Sequence, residues 1–426
     1  MLSQVFNEDA GNSIGAARIH GETIKPLYDS YCFSRLPQTI RWALTGDGQR
    51  GLPASTLRGL PTRYKKVILL LLDAFGWCFV ERYAEALPFL QRMMRGGVVS
   101  KLTTQFPSTT AAQITTLYSG LPVGDTGVFE WFYFEPVLDR IFAPLLCATI
   151  GPTELEPVPE PVPVEALYPA QSLSRSLADV GIQSYSFLNQ AYARSSFTTA
   201  TLEGSRIIPF KTLPEAVVNL SELVVEPVAA PTYYCLYVDT IDAISHRYGP
   251  ASRQVDAEIR TLFGLFESVL GDVLDGGLED TLVLLSADHG QIGVDTKSEL
   301  YVDELVPRLE TWIRTNEAGQ LLVPAGSSRD MFLYIRPEHL DDARFALQKA
   351  LGERAVVRRT ADLVDEGYFG ATSPRLLERL GDLVVFPRGN GMVWWRGAGR
   401  FQMEKRGHHG GLTAEEMETV LFAAAR

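Results

Sequence analysis

A chain of 426 residues has room for one large α/β domain with an elaboration, or for two to three ordinary domains. Its 46% apolar and 21% charged residues fit a soluble globular enzyme with a generous core. A net charge of −12 excludes a general nucleic-acid binder, which needs a basic face, but leaves room for small phosphorylated substrates where bound cations invert the local charge.

The opening MLSQVFNEDAGNS has neither a basic n-region nor an apolar h-region, and the longest apolar run, VILLLL at Val67–Leu72, is too short to span a bilayer. Cys32, Cys78, Cys147 and Cys235 are scattered, with no CxxC pair. They read as small core residues in a reducing compartment, so the expected location is cytoplasmic.

In chain order, KKVILLLLD is the first near-continuous apolar run, as expected of a strand covered on both faces, and it ends at Asp73. FPSTTAAQITTLYSG, Phe106–Gly120, then places Ser108, Thr109 and Thr110 at the mouth of a helix whose Ala112, Ile114, Leu117 and Tyr118 face a core. One hydroxyl suffices to cap a helix. A spare one at a helix N-terminus is placed to meet phosphate as a nucleophile. EPVPEPVPVEALYP, Glu156–Pro169, is broken by prolines and reads as an extended surface connection. QSYSFLN, YYCLYVD and DTLVLLSAD repeat the buried-strand pattern. Between the last two, Val255, Ile259, Leu262, Phe263, Phe266, Val269 and Leu270 form one helical stripe. Strands alternating with amphipathic helices predict an α/β fold with a doubly wound, mostly parallel sheet.

RDMFLYIRP, HLDDARFALQKALG and AVVRRT predict a small α+β subdomain inserted over residues 301–375, leaving 1–300 and 376–426 as the catalytic core. GDLVVFPRGNGMVWW reads as a hairpin around residues 388–391. The tail GHHGGLTAEEMETVLFAA reads as a terminal helix capped by Thr413, with Glu415 and Glu416 in its first turn.

Three strand ends finish in acidic or acid–histidine groups: Asp73; Asp239, Asp242 and His246; and Asp288–His289. GHHGG adds His408 and His409. Open α/β sheets bind ligands beyond the carboxyl ends of their strands, and Asp/His sets with a hydroxyl suit zinc or manganese. Asp242 and His246, four apart, share a helix face. Each piece also has an ordinary use: Asp73 as a helix cap, Asp288–His289–Gly290 as a turn, Asp242 and His246 as a solvated ion pair, the two loop histidines as polar surface. Asp239 reads as a turn or supporting group. His20 and His339 lack acidic company and receive no role. Metal-ligand chemistry at four element ends together favours a metal site.

LLLLDAFGW, FPSTTAAQITTLYSGLPVGDTGV, DTIDAISHRYGP, SADHGQ and GHHGG, in this order, resemble the alkaline phosphatase superfamily, and within it the type I phosphodiesterase and nucleotide pyrophosphatase family. The resemblance implies an alkaline phosphatase-like core and a two-metal phosphodiesterase-type hydrolase working through a phosphothreonine. It implies one divalent ion on Asp73, Asp288, His289 and Thr110, and a second on Asp242, His246 and His409. Zinc is the expected metal, with manganese as the alternative. Thr110 is the implied nucleophile and Thr109 the second choice. Trp131 stands where nucleotide pyrophosphatases carry an asparagine that contacts a phosphoryl oxygen, a departure that sets phosphoester hydrolysis apart from nucleotide pyrophosphate cleavage. A phosphomonoesterase, phosphonate hydrolase or phosphotransferase of the same superfamily, or a non-catalytic module binding a phosphorylated ligand, are the other readings. The expected partner is a small phosphorylated substrate, with neither nucleic-acid polymer nor membrane; oligomeric state is not legible.

Overall fold

The computed structural model describes residues 5–19, 23–151, 153–159 and 161–426; His20 lies outside them. The apolar run at Lys66–Leu72 is strand β1, and its side chains divide between two cores. Val67, Leu69 and Leu71 enter one, while Ile68, Leu70 and Leu72 enter the other. Side chains alternate along a strand, so a strand covered by helices on both faces must be apolar throughout.

Six further strands complete the sheet: β2 (Val98–Thr103), β3 (Gln183–Asn189), β4 (Arg206–Phe210), β5 (Thr232–Val238), β6 (Thr281–Ser286) and β7 (Glu418–Ala425). Their spatial order is β4-β3-β5-β1-β6-β7-β2, with the first five parallel and β7 antiparallel to both its neighbours. Leu72 lies opposite Val238, and Leu71 opposite Ser286, so the carboxyl ends of β1, β5 and β6 are level. Three helices matter for the site: α1 (Thr110–Ser119), α2 (Thr240–Tyr248) and α3 (Arg253–Asp272). The expected stripe of α3 is buried from Val255 to Leu270 against the second core, with Val269 at its margin.

The tail departs from the expected helix. Thr413 and Glu416 do form a capping box, but the helix lasts one turn, Ala414–Met417, and the chain continues as β7. A short apolar run fits a buried helix or a buried strand equally well. Here the gap between β6 and β2 supplies backbone partners on both sides, and every residue from Glu418 to Ala424 is buried.

The expected hairpin also fails to form. Leu383–Pro387 is the central strand of a three-stranded sheet, flanked antiparallel by Met331–Leu333 and Ala355–Arg359. With both its edges taken, it leaves none for Met392–Trp394, which pairs parallel with Glu299–Tyr301 instead. This small sheet, helix Leu340–Leu351 and a separate apolar cluster running from Val302 to Trp395 form the elaboration, whose central strand falls beyond residue 375. The proline-bearing stretch begins as strand Leu155–Pro157, the edge of a four-stranded antiparallel sheet. Among the described residues no helix is long and apolar enough to cross a membrane.

Candidate functional site

The loops after β1 and β6 touch because two glycines let them. A Cβ on Gly76 would lie 2.5 Å from the Cα of Gly290, and one on Gly290 would lie 2.1 Å from the Glu415 carbonyl oxygen. Asp73 leaves β1 with its N–H on the Val238 carbonyl, and Ala74, at φ 61°, turns its own N–H onto Asp288 Oδ1 at 3.1 Å. Asp73 therefore caps nothing, and the next helix starts after Gly76. Tyr237, one strand over on β5, donates its hydroxyl to Asp73 Oδ2 at 2.5 Å.

The helix mouth divides its hydroxyls. Thr109 is the cap: its Oγ accepts from the Ala112 N–H at 3.4 Å and donates to the Phe129 carbonyl at 2.9 Å. Ser108 Oγ donates to the Gly411 carbonyl and accepts from the Gly410 N–H, stapling the GHHGG loop to α1. Thr110, first residue of α1, is left with its Oγ 3.1 Å from His289 Nε2.

Three imidazoles are oriented alike. Nδ1 of His289, His246 and His409 donates to the carbonyls of Gly290, Gly407 and Ser108 at 2.9, 2.7 and 2.9 Å. A nitrogen facing a carbonyl must carry the proton, so each Nε2 presents a lone pair, the tautomer that metal-ligating histidines adopt. His289 Nε2 lies 3.5 Å from Asp73 Oδ1 and 3.3 Å from Asp288 Oδ2. Asp242 meets His246 Nε2 at 3.4 Å and His409 Nε2 at 3.6 Å.

Those spacings can be tested against an ion. Donor atoms about 2.0–2.2 Å from a tetrahedral metal lie about 3.3–3.6 Å from one another. The separations measured here run from 3.1 to 3.6 Å. Asp73 Oδ1 and Asp288 Oδ2 are buried and take no hydrogen bond, so two anionic acceptors and an imidazole lone pair converge on one point with no donor proton among them. A cation satisfies that arrangement, and the residues fit it. Two overlapping donor groups result: Asp73, Asp288 and His289; and Asp242, His289 and His409. His289 belongs to both, where the sequence assigned it to one ion alone.

Electrostatics point the same way. Burial pushes the Asp73 carboxyl well above the usual range, helped by the charges of Asp288 and Asp242, and burial also raises Asp288. Burial holds His409 well below its ordinary value, with the neighbouring imidazoles adding to the effect, and lowers His246. The empty cluster thus resists its own charges; a bound cation would bring the carboxyl pKa values down again and would keep the imidazoles neutral, the direction in which burial already takes them.

All seven expected side chains therefore lie in one contiguous cluster, five of them in the two close donor groups, with Thr110 joined through His289 and His246 through Asp242. Asp239 is the residue before α2, and burial raises its carboxyl. His408 turns its ring edge-on to His246, its Nε2 buried without a partner. His339 packs on Trp312 in the elaboration.

A pocket of about 260 Å³ opens over Thr110, Asp242, His246 and His409. Its far wall is apolar, from Trp131, Phe132, Trp394 and Met403; Lys405 and Glu130 also line it. Trp131 is 41% exposed and lines this pocket with Phe132, whereas the next residue, Tyr133, is fully buried in the first core. Glu130 is buried beside Asp330, and burial pushes its carboxyl up to about 7. Lys405, Glu130, Asp330 and Tyr237 carry no motif in the sequence. The one available signal was the proximity of Lys405 to GHHGG.

The model of the type I phosphodiesterase / nucleotide pyrophosphatase family matches residues 67–411. The chain is similar to ectonucleotide pyrophosphatase/phosphodiesterase family member 3 of Mus musculus, 20% identical over 263 residues, and to that of Rattus norvegicus, 19% identical over 260. Each match covers 60% of this chain but only 28% of the relative's length. Among solved structures, murine ectonucleotide pyrophosphatase / phosphodiesterase 5 superposes with a TM-score of 0.64 at 15% identity, covering 85% of this chain and 88% of that one. The human counterpart gives 0.65 at 15% identity, covering 84% and 88%. An inactive form of the murine protein in complex with AMP gives 0.64 at 15% identity, again covering 84% and 88%. These likenesses place the fold among alkaline phosphatase-like α/β proteins. With the family model spanning most of its length, the chain belongs to the type I phosphodiesterase / nucleotide pyrophosphatase family.

Proposed function

We propose that this protein is a two-metal phosphoester hydrolase of the phosphodiesterase type that works through a covalent phosphothreonine on Thr110. The observation that carries the reading is the convergence of Asp73 Oδ1 and Asp288 Oδ2, both buried without a hydrogen-bond donor, on the His289 Nε2 lone pair, beside the Thr110 hydroxyl at a helix N-terminus. Asp73, Asp288, His289 and Thr110 would hold one divalent cation and Asp242, His246 and His409 the other, zinc first and manganese as the alternative. When bound, the pair supplies Lewis acidity that lowers the pKa of the Thr110 hydroxyl and neutralises the carboxylates facing an anionic substrate.

The chain's own groups do the rest. The start of α1 places the Thr110 hydroxyl beside the ligand cluster, and the first-turn N–H groups of α1 would face the phosphoryl oxygens. Thr110 Oγ forms a bond to phosphorus as the bond to the leaving oxygen breaks on the opposite side. Water then displaces Thr110 from the phosphothreonine, returning its proton and releasing the phosphorylated product. The pocket's apolar wall excludes water from the reacting face. The substrate is a small phosphorylated molecule, as is the AMP held by the murine neighbour. Four free cysteines support a reducing, cytoplasmic setting.

The test is to measure bound metal on the purified protein and compare an aryl phosphodiester, the matching monoester and a sulfate ester with Zn²⁺ or Mn²⁺ added. The reading expects about two metals per chain and a preference for the diester. Metal-replete protein inert on every phosphoester would make it a binding module instead.

A further inference from the structure

We infer that Lys405 is a phosphoryl-binding residue, contacting a non-bridging oxygen of the anion that occupies this pocket. The proposal takes its ligand class from the hydrolase reading, but the contact itself requires no turnover.

Among the described residues lining the pocket, Lys405 is the one lysine or arginine. It stays open to solvent, yet its charge acts on Asp242 and Glu130 and on the imidazoles of His246, His408 and His409. Lys405 shares the pocket lining with Asp242, Glu130, His246, His408 and His409. Among the described residues it makes no ion pair within 4.0 Å and no hydrogen bond, so its donors are free for a ligand. This is unlike Arg329 and Arg379, the large buried cations nearby, which are bound to Glu416 and Glu135.

Its backbone is held in place. The Arg406 N–H donates to the His246 carbonyl at 2.8 Å, and the Arg406 carbonyl accepts from Val294 at 3.0 Å. The residue before Arg406 is therefore tied to the end of α2 that carries His246, and it moves with the metal-ligand set. An anion settling between Thr110 and His409 would otherwise face Asp242 and Glu130 with no fixed positive side chain. A flexible ammonium stem with three donors suits that role, reaching a phosphoryl oxygen without demanding a planar, bidentate partner. Trp131 and Trp394 also line the pocket and offer apolar surface to the organic part of a substrate.

The experiment titrates inorganic phosphate into metal-loaded wild-type, Lys405→Met and Lys405→Arg proteins, with metal content measured on each sample. Lys405→Met should bind phosphate about 10- to 100-fold more weakly with metal content unchanged, the effect of losing one charged hydrogen bond, and Lys405→Arg should recover most of it. On an aryl phosphodiester the same methionine variant should lose about 10²-fold in kcat/KM. Unchanged phosphate affinity in Lys405→Met, affinity lost together with metal, or wild-type protein that binds no phosphate would each overturn the assignment. A protein that hydrolyses nothing, but whose phosphate binding still depends on Lys405, would sink the hydrolase reading and leave this one standing. Turnover that ignores Lys405 would do the reverse.

Discussion

The imidazoles of His289 and His409, 120 residues apart, stack with ring centroids 3.8 Å apart and planes 22° from parallel. Two imidazolium ions cannot share that distance, and each ring gives its Nδ1 proton to a backbone carbonyl, so the pair is built to be neutral with both Nε2 atoms available. Both belong to the donor group that includes Asp242. The stack and the antiparallel pairing of Ile292 with His408 join the β6 tip to the GHHGG loop, and the place of His289 in both donor groups links them into one cluster.

Metal removal should therefore be most damaging at high pH. Asp73 and Asp288 have carboxyl pKa values raised by burial. In stripped protein that contribution to stability is complete below the ordinary carboxylate pKa and is lost as pH rises through the raised folded values. A bound cation replaces those protons. The Tm increment on adding Zn²⁺ to chelator-treated protein should grow from pH 5 to pH 8; an increment that is flat or shrinks with pH contradicts the assignment.

Thr110 and Thr109 should separate cleanly. Thr110→Ala is expected to lose at least about 10³-fold in turnover while retaining metal and Tm. Thr109→Ala removes the cap on α1, costing about 1 kcal/mol of stability, and keeps most of the activity. The reverse pattern would move the nucleophile by one residue.

Close approach of the β1 and β6 loops makes Gly76→Ala destabilising by about 2 kcal/mol or more, because the new Cβ meets backbone that cannot yield. Weaker metal binding should accompany it. Gly264→Ala is the control: it lies inside α3 with nothing within 4 Å of the added Cβ, and should stabilise by about 0.5–1 kcal/mol. Chemical denaturation of both variants checks the pair.

Glu130, which lines the pocket but is not among the expected metal ligands, offers a stability test. Burial pushes its carboxyl up to about 7, so its ionisation above that pH opposes the fold. Glu130→Gln can keep the bond from the Trp131 N–H and can donate to Asp330, so it should raise Tm at pH 8.5 and change it little at pH 5.5. An equal effect at both pH values would show that Glu130 does not titrate in this range.

The strand-end residues were legible because a buried apolar run stops at a carboxylate only where something balances it; Asp73, Asp242 and Asp288 could be read from the chain alone. The sheet was legible because β1, β5 and β6 are buried and largely apolar on both faces; β3, with Ser184 and Ser186 on one face and Gln183 exposed on the other, is less so. β7 was not, because ETVLFAAA has no period that separates strand from helix, and the vacant place between β6 and β2 decided it. Sharing of His289 between both donor groups was hidden as well, for it depends on a stack between distant loops. Tyr237 on Asp73 and Lys405 in the pocket lining with the histidines arise from neighbours across strands and loops, which one-dimensional spacing does not record.

Anomalous scattering from crystals grown with Zn²⁺ tests the central claim most directly. Two peaks are expected, one enclosed by Asp73, Asp288 and His289 beside Thr110 Oγ, the other by Asp242, His246 and His409. A lone peak, or none within reach of those seven side chains, would contradict it.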